Sequence, residues 1–404
     1  MDLAKIRLDF PILSRTQGGR PYVYFDNGAT AQKPWRVIKA IENYYTNQNS
    51  NIHRGVHALS REVTIAYEEA RKTVQRHLGA ASDKEIVFTR GTTESINLVA
   101  HCLGAIGLSE GDEIIITEME HHSNILPWQA LCCAKKAVLK YIPLERDGTL
   151  NLEALSVLIT SKTKLISFSH VSNTLGTIND AKSICQIANE KGIPVFVDGA
   201  QAVPHMKPDV AALGCDFYTF SGHKLFGPTG IGVLYAKKKW LDEFPPYQLG
   251  GGIVKVVTMQ SCELVEAPLK FEAGTPNIEG AIGLAEAIKY LDSVGWDNIA
   301  RQEHELLTFM SDEIKKVPGV TVYGEAKNKV PVISFNLGSN HPFDVGTILD
   351  NYAIAVRTGH HCTQPIMQYY KIPGTVRASL AFYNSKEEVA LFIEALHKSS
   401  KMLS

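Results

Sequence analysis

Almost no net charge survives in this chain: 41 lysines and arginines stand against 42 aspartates and glutamates over 404 residues. That balance offers no charged surface for nucleic acid or an anionic membrane, so neither is expected as a partner. Apolar runs long enough to span a bilayer are missing. The opening residues Met1-Asp-Leu-Ala-Lys-Ile-Arg-Leu-Asp-Phe10 mix both signs of charge and lack an apolar core, which argues against a secretory signal. Internal repeats and low-complexity tracts are absent too. Cysteine is scarce and unpatterned: the seven are an odd number with neither CxxC pairs nor a disulfide ladder, which suits a reducing, cytoplasmic setting. Cys132 and Cys133, in Trp128-Gln-Ala-Leu-Cys-Cys-Ala134, read as small core hydrophobes. Cys362 stands apart from the others.

What is present is the composition of a globular protein, 45% hydrophobic and 21% charged. The length admits one large α/β domain carrying a smaller one. Between about residues 60 and 240, short apolar or β-branched runs alternate with amphipathic stretches, the pattern of a mainly parallel sheet covered by helices. Strands are expected at 85–89, 113–117, 164–168, 194–197 and 217–220, with 231–235 returning after a turn; helices are expected at 65–78, 94–103 and 181–191. The cluster Gly250-Gly-Gly252 and the stretch to Asn277 read as long loops. Beyond them a helix at 280–294 leads into a smaller α+β domain, with a helix at 296–316, strands at 320–323 and 332–336, and a closing helix at 386–402. Open α/β sheets bind ligands outside the carboxyl ends of their strands, so polar residues just after each apolar run carry the interest.

Lys224 lies in Ser221-Gly-His-Lys224, between two apolar runs and among small, hydrogen-bonding residues. That company suits Schiff-base chemistry, which needs a neutral amine in a partly desolvated site; an exposed lysine in a glycine-rich hairpin reads the same way locally. Arg90-Gly-Thr-Thr-Glu94 follows a strand and opens a helix, so Thr92 and Thr93 form either a phosphate cradle or a plain capping box. Asp198 ends the buried run Val195-Phe-Val-Asp198 and suits a pyridinium nitrogen, or a helix cap. Gln201, three residues on, suits a phenolic oxygen. His121 or His122 could stack on a flat ring and still transfer protons. Adjacent histidines in a loop lack i,i+4 geometry, so no metal is expected. Asn173 follows a strand and suits a cofactor oxygen, a substrate carboxylate or a simple turn. Cys362, in Val356-Arg-Thr-Gly-His-His-Cys-Thr363, has two histidines and an arginine beside it, and such neighbours favour the nucleophilic thiolate, though an incidental exposed thiol reads the same way locally. Arg377 is an isolated cation in apolar surroundings, fit for clamping a carboxylate or for an internal ion pair.

Taken together these segments resemble the group II cysteine desulfurases of the SufS type, within the class V, fold-type I pyridoxal-phosphate enzymes. The resemblance runs through Tyr24-Phe-Asp-Asn-Gly-Ala29, Asn51-Ile-His-Arg-Gly55, Arg90-Gly-Thr-Thr-Glu94, Met119-Glu-His-His122, Val197-Asp-Gly-Ala-Gln201, Ser221-Gly-His-Lys224, Phe271-Glu-Ala-Gly-Thr-Pro-Asn277 and Arg357-Thr-Gly-His-His-Cys362. It implies a fold-type I transferase with a mainly parallel seven-stranded sheet. The large cofactor domain would span 16–265, a small α+β domain 1–15 with 290–404, and a connecting segment 266–289. Pyridoxal 5'-phosphate is the implied cofactor, with Lys224 as its lysine, Asp198 on the pyridinium, Gln201 on the phenolic oxygen, His121 on the ring, and Asn173 also among the cofactor contacts. Thr92, Thr93, Ser221 and His223 would hold the phosphate, joined by Thr275 from a second subunit of a homodimer. Asn173 and Arg377 would bind the substrate carboxylate, with Arg357, His53 and Arg54 at active-site positions of less defined role. The implied reaction takes L-cysteine to L-alanine through a persulfide on Cys362. It would supply sulfur for iron–sulfur cluster assembly through a small persulfide-accepting carrier protein, and selenocysteine is an implied second substrate. Cys362 is followed by Thr363-Gln-Pro365 where the family pattern suggests smaller or more apolar residues, which leaves loop mobility and the acceptor open.

Overall fold

The structure, a computed structural model, describes residues 1–403. Its centre is a seven-stranded sheet in the order Ile86–Thr89, Gly232–Ala236, Phe217–Ser221, Val195–Asp198, Thr163–Ser169, Glu113–Thr117, Val138–Ile142. All neighbours run parallel except Gly232–Ala236, which is antiparallel to both strands beside it. Five of the seven strands are buried at every residue, which explains their nearly unbroken apolar runs. Successive side chains feed opposite faces. Phe88, Ile115 and Val197 pack under the helices Ala58–Leu78, Ala181–Glu190 and Ile278–Val294, while Val87, Ile116 and Phe196 pack under Thr92–Ile106 and Leu126–Lys135.

A second sheet of four antiparallel strands runs Val320–Tyr323, Val332–Leu337, Thr375–Ser379, Arg357–Gly359. The helices Trp296–Ile314, Pro342–Asn351 and Lys386–Leu403 cover it through Leu306, Met310, Leu349 and Phe392. Two stretches pack differently from the expected division. Val23–Tyr24 pairs with Ile354–Ala355, and Val23 and Phe25 enter the small sheet's core rather than the large one. Tyr290, Leu291 and Val294 continue the apolar stripe of Ile278–Val294 into the large core, so residues 290–294 stay with the large sheet.

The six expected large-sheet strands stand within one residue of their predicted bounds. Helix Ala58–Leu78 begins seven residues earlier than expected, because its first turns are polar and carry little periodicity. Strand Val138–Ile142 and helix Leu126–Lys135 were not expected. The stretch read as loops up to Asn277 contains a hairpin, Val254–Val257 with Cys262–Leu264.

The register sets up the site. Ser169 pairs with Asp198, Asp198 with Thr219, Ser221 with Gly232 and Gly232 with Thr89, so the polar strand ends share one edge of the sheet.

Candidate active site

Along that edge opens a cavity of about 340 Å³. Thr92, Thr93, Ser221 and His223 line one end of it. Helix Thr92–Ile106 starts there behind Gly91, which offers no side-chain cap. Ser221 Oγ accepts the Thr92 N–H at 2.9 Å and lies 3.0 Å from Thr92 Oγ1, while Thr93 Oγ1 meets Ser123 Oγ at 2.8 Å. The result is hydroxyls gathered at a helix N-terminus, a fitting environment for an anion. Close approach makes this possible, since a Cβ on Gly232 would lie 2.4 Å from Gly91 Cα.

Asp198 and Gln201 also line the cavity. Asp198 Oδ1 accepts the Ala200 N–H at 2.9 Å, yet burial pushes its pKa up, so a cation beside it would be welcome. The Gln201 amide donates to Gly28 O at 2.5 Å. Lys224 sits in the turn after Phe217–Ser221, where desolvation brings its amine down to about 8 despite the nearby Asp198. The preceding carbonyl, His223 O, accepts from Lys33 Nζ (2.8 Å), Thr30 Oγ1 (3.2 Å) and Ala31 N (3.2 Å), which fixes the peptide that carries Lys224.

His121 lines the cavity and is held neutral: burial, then the charge of Lys224, lowers its pKa to about 3. Its Nδ1 accepts the Ser123 N–H at 3.1 Å, so the ring proton resides on Nε2. His122 turns away from this role. Its N–H donates to Cys362 O at 2.8 Å, and its ring lies 5.5 Å from that of His360.

The small sheet closes the cavity. Arg377, on a central strand and almost wholly buried, is pushed down to about 10 by desolvation, and its Nε has no partner among the described residues. Its Nη1 donates to Asn173 O at 2.9 Å. Asp26 holds the guanidinium of half-exposed Arg357 through both carboxylate oxygens, at 2.8 to 3.2 Å, and reaches Arg377 Nη2 at 3.4 Å. Asp26 thus pairs with both arginines, more closely with Arg357, while Arg377 lines the cavity and keeps its buried Nε without a partner among the described residues. Asn173 lines the cavity as expected, but its amide is committed to His361 O at 2.8 Å. That bond and the one between Thr174 Oγ1 and Thr363 Oγ1 (2.7 Å) dock the cysteine loop on the large sheet. Both His361 and Cys362 adopt left-handed backbone, with φ of 51° and 57°, and the exposed Cys362 borders the cavity.

Three expected residues lie outside it. His53 pairs with Glu68 at 3.0 Å, and Arg54 donates to Val254 O at 3.1 Å. Thr275 lines a separate depression beside Glu272. Glu68 and Glu272 are joined by buried Arg71, which meets Glu272 at 2.6 Å. Sequence reasoning passed over Asp26, Ser123, Lys33 and Glu120. Asp26 and Glu120 did carry a signal, as acidic residues just after apolar runs.

A donor-rich anion end, a buried acid, a low-pKa lysine and a neutral imidazole together fit a flat, phosphate-bearing cofactor. The aminotransferase class-V family pattern matches residues 23–392. The chain is 49% identical to a probable cysteine desulfurase of Halalkalibacterium halodurans, over 99% of this chain and 98% of that one. It is 50% identical to a cysteine desulfurase of Salmonella gallinarum, over 99% and 98% respectively. The apo structure of a cysteine desulfurase from Thermococcus onnurineus NA1 is similar at a TM-score of 0.94 and 42% identity, covering 99% of this chain and 98% of the other. With cavity, fold and sequence in agreement over nearly its whole length, the chain belongs to the class-V aminotransferase family, among its cysteine desulfurases.

Proposed function

We propose that this protein is a pyridoxal 5'-phosphate-dependent cysteine desulfurase that converts L-cysteine to L-alanine and carries the sulfur away as a persulfide on Cys362. The observation that carries the reading is the convergence of Lys224, Arg377 and Cys362 on one cavity. They provide an amine for the cofactor, a cation for the substrate carboxylate and a thiol for the substrate sulfur. Thr92, Thr93, Ser221 and His223 would hold the cofactor phosphate, Asp198 its ring nitrogen, and His121 its face. When bound, the cofactor supplies an electron sink for charge left at the substrate Cα.

The chain's own groups do the rest. Lys224, whose amine titrates near 8, takes the Cα proton. Arg377 orients the carboxylate, and neutral His121 offers its Nε2 proton within the cavity. The Cys362 thiolate attacks the substrate sulfur; an S–S bond forms as the Cβ–S bond breaks, and the released electron pair stays with the alanine carbon, which is then protonated. The exposed position of Cys362 suits onward transfer to a small carrier protein. Supply of sulfur to iron–sulfur cluster assembly, and action on selenocysteine, rest on the family character of the Arg357-Thr-Gly-His-His-Cys362 loop. A homodimer is supported by the apolar hairpin, where Val257 and Met259 are 68% and 95% exposed, and by Thr275 lying outside its own chain's cavity.

Cys362→Ser tests the reading. The variant is expected to keep the cofactor's visible absorbance while alanine release from L-cysteine falls at least about 100-fold. Mass spectrometry of the wild type after substrate is expected to find the persulfide on the Cys362 peptide. Undiminished alanine release by the serine variant would refute the proposal.

A further inference from the structure

Glu120 is a fully buried acid that no step above uses, and it immediately precedes His121. Its Oε1 accepts from Thr117 Oγ1 at 2.5 Å and from the Ser169 N–H at 2.9 Å. Its Oε2 accepts from Ser169 Oγ at 2.5 Å and from the Asn124 amide at 2.6 Å. Four donors thus fill the lone-pair directions of one carboxylate. Burial opposes the charge and pushes the pKa up to about 7, and the donors act against that.

The donors tie together separate parts of the chain. Thr117 ends one strand, Asn124 closes the turn that carries both histidines, and Ser169 ends the neighbouring strand opposite Asp198. Asn124 extends the connection, since its Oδ1 accepts from Trp128 Nε1 at 2.8 Å and from Ser167 Oγ at 2.7 Å. The turn is therefore suspended from a carboxylate at its middle, and His121 is the next residue along.

We propose that Glu120 is a positioning residue for His121, its carboxylate fixing the turn so that the imidazole stands in the cavity. The inference rests on the desulfurase reading. Displacing a reacting group by about 1 Å can cost on the order of 100-fold in rate. Glu120→Gln keeps the side chain's shape but turns one acceptor oxygen into an amide that faces existing donors.

The test is single-turnover alanine formation from L-cysteine by the holoenzyme, which keeps slow variants measurable. Glu120→Gln is expected to lower the rate at least about tenfold, with half-saturation by L-cysteine changed less than about threefold. In a His121→Ala background the same substitution is expected to change the rate less than about twofold, because its effect passes through the imidazole. An equal loss in both backgrounds, or a loss of thermal stability with no loss of rate, overturns the proposal. Should Glu120→Gln fail to fold, Thr117→Val removes one of the four donors and is judged by the same pair of backgrounds. A wild-type enzyme that forms no alanine would sink the desulfurase reading instead, so the two failures are distinct.

Discussion

The aldehyde chemistry proposed for Lys224 requires an uncharged amine, and the cavity favours one by desolvation, with Asp198 pulling the other way and Arg377 assisting. A lysine titrating near 8 is about 1% neutral at pH 6 and about 90% neutral at pH 9. Loading of the cofactor-free protein with pyridoxal phosphate, followed by its visible absorbance, is therefore expected to speed up about tenfold per pH unit below 8 and to level off above it. A rate still climbing steeply between pH 9 and 10 would mean an ordinary lysine and would remove the desolvation argument. The residues legible in the sequence were those whose position along the chain announces them: Thr92, Asp198 and Lys224 each follow a buried apolar run. Asp26 has such a position too, but its work lies in binding Arg357, 331 residues away, and only the fold brings them together. Asn173 shows the opposite limit, because its local sequence could not reveal that His361 O already takes its amide.

Elements were legible to the degree that burial imposed a pattern on them. Strands buried on both faces stood out as apolar runs, whereas Val138–Ile142 is a half-exposed edge strand with a lysine and a tyrosine in it, and the hairpin Val254–Leu264 is exposed along most of its length. Helix Ala58–Leu78 was recognised from its buried half, and that half holds an unexpected residue. His77 is wholly buried, lies 5.5 Å from the ring of Trp296, and has no hydrogen-bond partner on either nitrogen among the described residues. Burial lowers its pKa to about 4, against 6.5 for a free histidine. A depressed folded-state value means the stabilising contribution is complete above 6.5 and is lost as the pH falls through 4. Relative to His77→Leu, the wild type should thus lose about 3 kcal/mol between pH 7 and pH 4, read from urea midpoints of the two proteins. Parallel stability curves over that range would show that His77 titrates in the folded protein as it does in the unfolded chain, with no depression by burial.

At the scale of the whole molecule, the two sheets meet over the cavity, and the cysteine loop is fastened to the large sheet by His122, Asn173 and Thr174. Thr275, like His53 and Arg54, lies outside its own chain's cavity, held near the buried pair of Arg71 and Glu272 on the flank of the large sheet. The homodimer proposal makes this displacement useful, with Thr275 of each subunit completing the phosphate end of the other. Thr275→Asp would then set a carboxylate against the phosphate in the partner's site, and Lys224→Ala would remove the amine from its own. Each variant alone is expected to be inactive. Unfolded together and refolded in equal amounts, they are expected to recover about a quarter of wild-type alanine release, because half the dimers are mixed and each mixed dimer holds one site with both Lys224 and an intact Thr275. If mixed dimers form by sedimentation and mass yet no activity returns, Thr275 acts within its own chain or not at all. Sedimentation of the wild type as a monomer would end the homodimer proposal itself, and the cavity described in one chain would then have to be complete without a second copy.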